Sequence, residues 1–314
     1  MKTLYFLLYA CTLTCALLGV GIILQDLSAP APNLEGTLVN IHKPGYAKVN
    51  RDLCRNIKSF SKLLILVSSA PGNFDKRQAI RLSWGHFALR HDVIIGFFLG
   101  AVTNSSVQGL VEKESTTYMD IIQNKNIDSY RNLTLKSLSM LQWVNQYCPG
   151  IGFILKSDDD VFINVRNLLS FVDTQRETKN TIFGNVARNW KPIRSHNNKY
   201  YVSDLLFQDA LYPSFATGPA YLMTQDVPAR LTSAALMKAP FPLEDVFFTG
   251  IVAEELNIKR INNVQFHPYF KKKVHDDITK LISIHKITAH QHLSLWNKVA
   301  NDYLSKLETT HLLY

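Results

Sequence analysis

The chain has 314 residues, 46% of them hydrophobic and 19% charged, a balance that excludes a disordered protein and allows one large core or two closely packed halves. Lysine and arginine together number 34 against 25 acidic residues, and a basic surface suits nucleic acid, anionic lipid or a phosphorylated small molecule. Those basic residues are scattered, with Lys271-Lys272-Lys273 the one triplet, so most of them read as a solvated face.

Leu4 to Leu24 carries no charged residue and, at ~1.5 Å per helical residue, is long enough for a hydrocarbon core of ~30 Å. It reads as an uncleaved transmembrane signal-anchor. A cleaved signal peptide competes, but its apolar region is usually only ~7 to 15 residues, and Pro30 follows the small Ser28 and Ala29 where cleavage would fall. Lys2 and the amino terminus leave a cytoplasmic tail of residues 1–3 and place the remainder in a lumen, which argues against nucleic acid. Residues 25–62, with Pro30, Pro32 and Pro44, read as a stem, and 63–314 as the folded lumenal domain. Asn104-Ser105-Ser106 and Asn132-Leu133-Thr134 fit the N-glycosylation pattern. Cys11 and Cys15 fall in the apolar span, leaving Cys54 and Cys148 as one disulfide or as two buried thiols.

Within the domain, Leu63 to Ser68, Val93 to Leu99 and Phe153 to Leu155 read as strands, and Lys76 to Trp84 and Leu133 to Tyr147 as helices. That alternation predicts an α/β fold with a mainly parallel sheet flanked by helices. The second half is more mixed, with Thr181 to Asn185, Ala220 to Met223, Asp245 to Leu256 and a final helix from about Ala289 to Leu307.

Four places along this chain offer chemistry. Ser68 to Gly72 closes the first strand, and the next helix carries Arg77 and Arg81; amides at a helix start with nearby guanidinium groups would cradle a diphosphate, whereas an ion pair across to the sheet is the structural alternative. Asp158, Asp159 and Asp160 follow an apolar strand. Three adjacent carboxylates repel one another, so the triplet predicts a bound hard cation, Mn²⁺ or Mg²⁺, shared with substrate phosphates. Glu244-Asp245 follows Pro240-Phe241-Pro242; it is either a helix cap or a carboxylate held rigidly enough to act as a general base. His285 ends the apolar run Leu281 to Ile284, where it is either a satisfied structural ring or a ligand at a strand end.

The ordered set Arg77 to Gly85, Phe98-Leu99-Gly100, Asp128 to Lys136, Lys156 to Asn164 and Glu244-Asp245-Val246 closely resembles the β-1,3-glycosyltransferase family, which includes β-1,3-galactosyltransferases and Brainiac-like β-1,3-N-acetylglucosaminyltransferases, over roughly Cys54 to Val299. The resemblance implies a single-pass type II Golgi enzyme of GT-A-like fold that uses a UDP-sugar and Mn²⁺ and inverts the anomeric centre on a glycolipid or glycoprotein glycan, galactose being the favoured sugar. It implies that Asp160 ligates the metal with His285 as second ligand and His267 as alternative. It also implies that Asp158, Asp159, Arg77, Arg81 and Lys136 bind the donor and that Asp245 is the base. The chain departs from the commoner pattern at Met119, where glycine often stands, and at Tyr200, where tryptophan often does. The stretch from Trp190 to Gly218 then borders the acceptor. A membrane-tethered glycan-binding protein without turnover is the alternative from another class.

Overall fold

A computed structural model describes residues 36–55, 62–269 and 278–311. The tail, the Leu4 to Leu24 anchor and the start of the stem lie outside the described residues. Among the described residues no helix is long and apolar enough to cross a membrane.

Eleven strands are described: β1 (Tyr46–Lys48), β2 (Leu63–Ser68), β3 (Val93–Ala101), β4 (Ile121–Ile127), β5 (Phe153–Asp158), β6 (Val161–Ile163), β7 (Thr181–Ala187), β8 (Phe215–Thr224), β9 (Lys259–Asn262), β10 (Phe266–His267) and β11 (Ser283–His285). Eight form one sheet in the order β1-β4-β3-β2-β5-β8-β7-β9, and β10-β11-β6 form a second, three-stranded one. The centre of the large sheet is parallel, from β4 through β3 and β2 to β5, while β8 runs antiparallel to both β5 and β7. An α/β fold with a mainly parallel sheet flanked by helices is therefore present.

All six residues of β2 are buried, because helices cover both faces and an alternating polar pattern has no place in such a strand. Leu64 and Leu66 join a core with Phe98, Trp143 and Phe247, while Leu63, Ile65 and Val67 join another with Trp84, Phe97, Phe162 and Leu295. The Leu133–Tyr147 helix has the bounds its periodicity predicts, and the final helix runs over Ala289–His311.

The expected stem needs correction at residues 36–55. Leu38 is fully buried in the first core, β1 pairs with the edge strand β4, and Cys54 is bonded to Cys148. This segment satisfies the open edge of the sheet, which an exposed row of unpaired amides would otherwise leave sticky. β5 also runs further than the apolar run Phe153 to Leu155 suggests, through Lys156 and Ser157 to Asp158.

Candidate active site

The register of the sheet brings the acidic groups together. Ser68 at the end of β2 lies beside Asp158 at the end of β5, so the triplet sits at the carboxyl ends of parallel strands, where open α/β sheets gather ligands. From the other sheet, β11 pairs antiparallel with β6 and sets His285 across from Val161, next to Asp160 in the chain. The Ile287 amide donates to the Asp160 carbonyl at 2.9 Å and fastens the junction.

Asp158, Asp160 and His285 each offer a ligand atom, and those atoms lie within 4.8 Å of one another. His285 Nε2 is 3.4 Å from Asp160 Oδ1, and its Nδ1 lies 2.9 Å from the Pro268 carbonyl. That carbonyl only accepts, so Nδ1 donates to it and Nε2 is turned towards the carboxylates, where a cation could replace its proton, an orientation that metal-binding imidazoles use. Burial raises the Asp158 carboxyl above the ordinary carboxylate range, a cost that a cation would relieve. Two carboxylates and one imidazole fit a divalent cation such as Mn²⁺ or Mg²⁺.

Within the triplet the contacts differ. Asp158 offers one oxygen to the group that could hold a cation. Asp159 is buried and accepts from Ser69 Oγ, Asn73 Nδ2 and Lys76 Nζ, each at 2.8 Å; it ties the triplet to the turn after β2.

The two arginines are likewise scaffold. Arg77 is fully buried and donates to both oxygens of Glu114, to Ser69 Oγ and to the Ala70 and Pro71 carbonyls at 2.7 to 2.9 Å, which uses every guanidinium donor. Arg81 pairs with Asp120 and Glu114 between the rings of Phe97 and Tyr118. The structural ion pair, not the diphosphate cradle, is what these residues form. Lys136 is buried too, with its ammonium 2.7 Å from both the Ser69 carbonyl and Asp128 Oδ2. His267 is not in the group that could hold a cation, and its Nδ1 lies 2.5 Å from the Tyr269 carbonyl.

Glu244 and Asp245 are adjacent but differently placed. Glu244 is buried, accepts from the Tyr221 hydroxyl at 2.6 Å and lies 3.6 Å from Lys156 Nζ. Asp245 is half-buried at the start of a π-helical stretch, Val246–Val252, and each of its oxygens accepts one backbone N–H, from Val246 at 2.9 Å and from Gly218 at 2.8 Å. One lone pair per oxygen remains free. Burial, then the neighbouring Glu244 charge, pushes the Asp245 carboxyl up to about 6. π-Helical turns are rare and cluster at functional sites; here Thr249 anchors the stretch by exchanging hydrogen bonds with Ala216 of β8.

Sequence reasoning missed Lys156, Gly218 and Tyr130. Lys156 Nζ donates to Asp158 Oδ1 at 2.6 Å and to the Gly218 carbonyl at 2.8 Å; the available signal was its place two residues before Asp158, hence on the same strand face. A Cβ on Gly218 would stand 3.1 Å from Asp245 Oδ2, so the close approach favours glycine. Tyr130 feels the charges of Asp245 and Asp158, and Lys199 lies over both its ring and that of Tyr200. The excursion between β7 and β8 therefore reaches Tyr130. Arg194 holds it folded by donating to the Val202 and Phe207 carbonyls and pairing with Asp204.

Of the two glycosylation patterns, Asn104 is exposed and caps the Ser105–Tyr118 helix with its Oδ1. Asn132 donates its Nδ2 to the Ile127 carbonyl at 2.9 Å, while Thr134 is buried against Phe241.

A family model described as Galactosyltransferase matches residues 75–264. The chain is 31% identical over 263 residues to a UDP-GlcNAc:betaGal beta-1,3-N-acetylglucosaminyltransferase 7 of Rattus norvegicus, covering 78% of this chain and 66% of that protein, so it spans just under two thirds of that relative's length. It is 32% identical over 300 residues to a lactosylceramide 1,3-N-acetyl-beta-D-glucosaminyltransferase of Xenopus tropicalis, with 90% and 76% covered. To a beta-1,3-galactosyltransferase 1 of Mus musculus it is 31% identical over 247 residues, with 78% and 76% covered.

Proposed function

The chain belongs to the β-1,3-glycosyltransferase family, and from that premise we propose that it is an inverting hexosyltransferase. It moves a sugar from a UDP-sugar to the 3-hydroxyl of a glycan acceptor. The sheet order and the acidic triplet at the end of β5 support reading the fold as GT-A-like. The apolar Leu4 to Leu24 span and the Cys54–Cys148 disulfide support a type II membrane protein with its domain in an oxidising lumen such as the Golgi. The names of the relatives make galactose and N-acetylglucosamine the donor sugars to compare, and a glycolipid or glycoprotein glycan the acceptor.

One observation carries the reading: a group able to hold a cation and a half-buried carboxylate, Asp245, with a free lone pair on each oxygen lie at the same end of the sheet. A divalent cation held by Asp158, Asp160 and His285 would neutralise charge building on the leaving diphosphate. Asp245 takes the proton from the acceptor hydroxyl as that oxygen bonds to C1 of the sugar, and the C1–O bond electrons leave with UDP. Single displacement from an α-linked donor yields a β linkage. Asp245 rather than Glu244 suits the role, because Glu244 is buried against Tyr221. Tyr130, Tyr200 and Tyr212 border the acceptor side, the phenols of Tyr130 and Tyr212 lying within the field of Asp245.

Asp245→Asn tests this against a glycan-binding protein without turnover. An amide keeps the shape and loses one of two backbone hydrogen bonds, about 1 kcal/mol, too little to unfold the domain. Calorimetry should show near-normal UDP-sugar binding with Mn²⁺, and a transfer assay should show a loss of ~10² to 10⁴ in rate. Unchanged transfer, or a larger loss in Glu244→Gln, would move the base elsewhere.

A further inference from the structure

Four carboxylates, Asp158, Asp160, Glu244 and Asp245, come to this end of the sheet from two chain segments, and the Lys156 ammonium is buried beside Asp158, Glu244 and Asp245. Lys156 and Asp158 lie two apart on β5 and share a face of the pleat. The ammonium is 2.6 Å from Asp158 Oδ1, 2.8 Å from the Gly218 carbonyl and 3.6 Å from Glu244 Oε2. Gly218 passes the contact on, since its own N–H donates to Asp245 Oδ2. Tyr221, whose ring centroid lies 5.7 Å from the ammonium, closes the far side by donating to Glu244.

A buried ammonium with three oxygen partners is costly to desolvate and is retained where its charge and geometry are used. Resting on the reading of Asp245 as base, we propose that Lys156 is the positioning residue that joins the two halves of the site. Through Asp158 it fixes one ligand of the cation group, and through Gly218 it fixes the base. Its charge also opposes that of Glu244 at Asp245 and keeps the base ionised in a buried setting.

The groups that face Asp245 are Glu244 beside it, Lys156 from β5, Tyr221 from β8, Tyr130 ahead of the Leu133–Tyr147 helix and Tyr212 from the β7–β8 excursion. Only Lys156 among them brings a positive charge. Replacing it by a neutral chain therefore has a signature that a packing defect lacks.

The test measures kcat, its pH profile at saturating Mn²⁺ and donor, and Mn²⁺-UDP affinity by calorimetry in Lys156→Met, Lys156→Gln, Lys156→Arg and Asp245→Asn. Thermal unfolding reports folding. In the two neutral variants kcat should fall on the order of 10²-fold, and the acid limb should move up by about one pH unit. Lys156→Arg keeps the charge and shifts the geometry, so its kcat should fall while the limb stays near the wild-type position. Two neutral variants with an unmoved limb, whatever their kcat, overturn the proposal. If neither folds, an Arg variant whose limb moves up, or whose kcat is unchanged, overturns it. Full transfer in Asp245→Asn would instead overturn the assignment of the base, a separate failure.

Discussion

Asp245 is held between opposing influences. Burial and the Glu244 charge push its carboxyl up to about 6, while two backbone amides and Lys156 favour the ionised form. A base must be deprotonated to accept a proton, so activity is present above this value and is lost as pH falls through it. At saturating donor and cation, kcat/KM for the acceptor should show an acid limb near pH 6 in wild type, and a flat profile down to pH 5 would contradict the assignment. A second residue is legible only in part. Met119 stands where relatives in the resembling pattern often carry glycine, and the structure supplies the reason: it closes the Ser105–Tyr118 helix at φ 54°, in the left-handed region. Its side chain is mostly exposed, so little packing offsets the strain. Met119→Gly should raise stability by about 0.5–1 kcal/mol in chemical denaturation, and a lower midpoint would show that the side chain packs more than its exposure implies.

At the scale of elements, the acidic triplet, the strand β2 and the Leu133–Tyr147 helix are legible because each is a local pattern: a charge run, an apolar run and a 3.6-residue period. The metal group is not. His285 lies far along the chain from Asp160, and only the antiparallel pairing of β11 with β6 brings them together. β5 looks shorter in sequence because Lys156 and Ser157 are polar, yet both are buried and Lys156 is paired. Arg77 and Arg81 have the spacing of a phosphate site, and nothing in that spacing reveals that Glu114 and Asp120 wait across the interface. Because Arg77 is a buried scaffold, Arg77→Met should destabilise the domain by about 3–5 kcal/mol by leaving Glu114 buried with one partner fewer. The folded fraction should bind UDP with ordinary affinity. A stable variant with weakened UDP binding would return Arg77 to the donor site.

For the whole molecule, the residues expected as stem are partly domain. Residues 36–55 cover the β4 edge, and the Cys54–Cys148 bond closes a loop with a sequence separation of 94 between the N-terminal segment and the end of the Leu133–Tyr147 helix. That closure keeps the sheet edge covered and, with the ion network behind β2, leaves one end of the sheet as the place where the metal group, the base and the β7–β8 excursion meet. We propose that this end performs an inverting transfer. The transfer is tested most directly by incubating the protein with UDP-galactose or UDP-N-acetylglucosamine, Mn²⁺ and a panel of glycan acceptors, and determining the anomeric configuration and linkage of the product by NMR. A β-linked sugar on a 3-hydroxyl is expected, with UDP released in equal amount and the reaction abolished by chelation. An α-linked product, or transfer that survives complete removal of divalent cations, would contradict it.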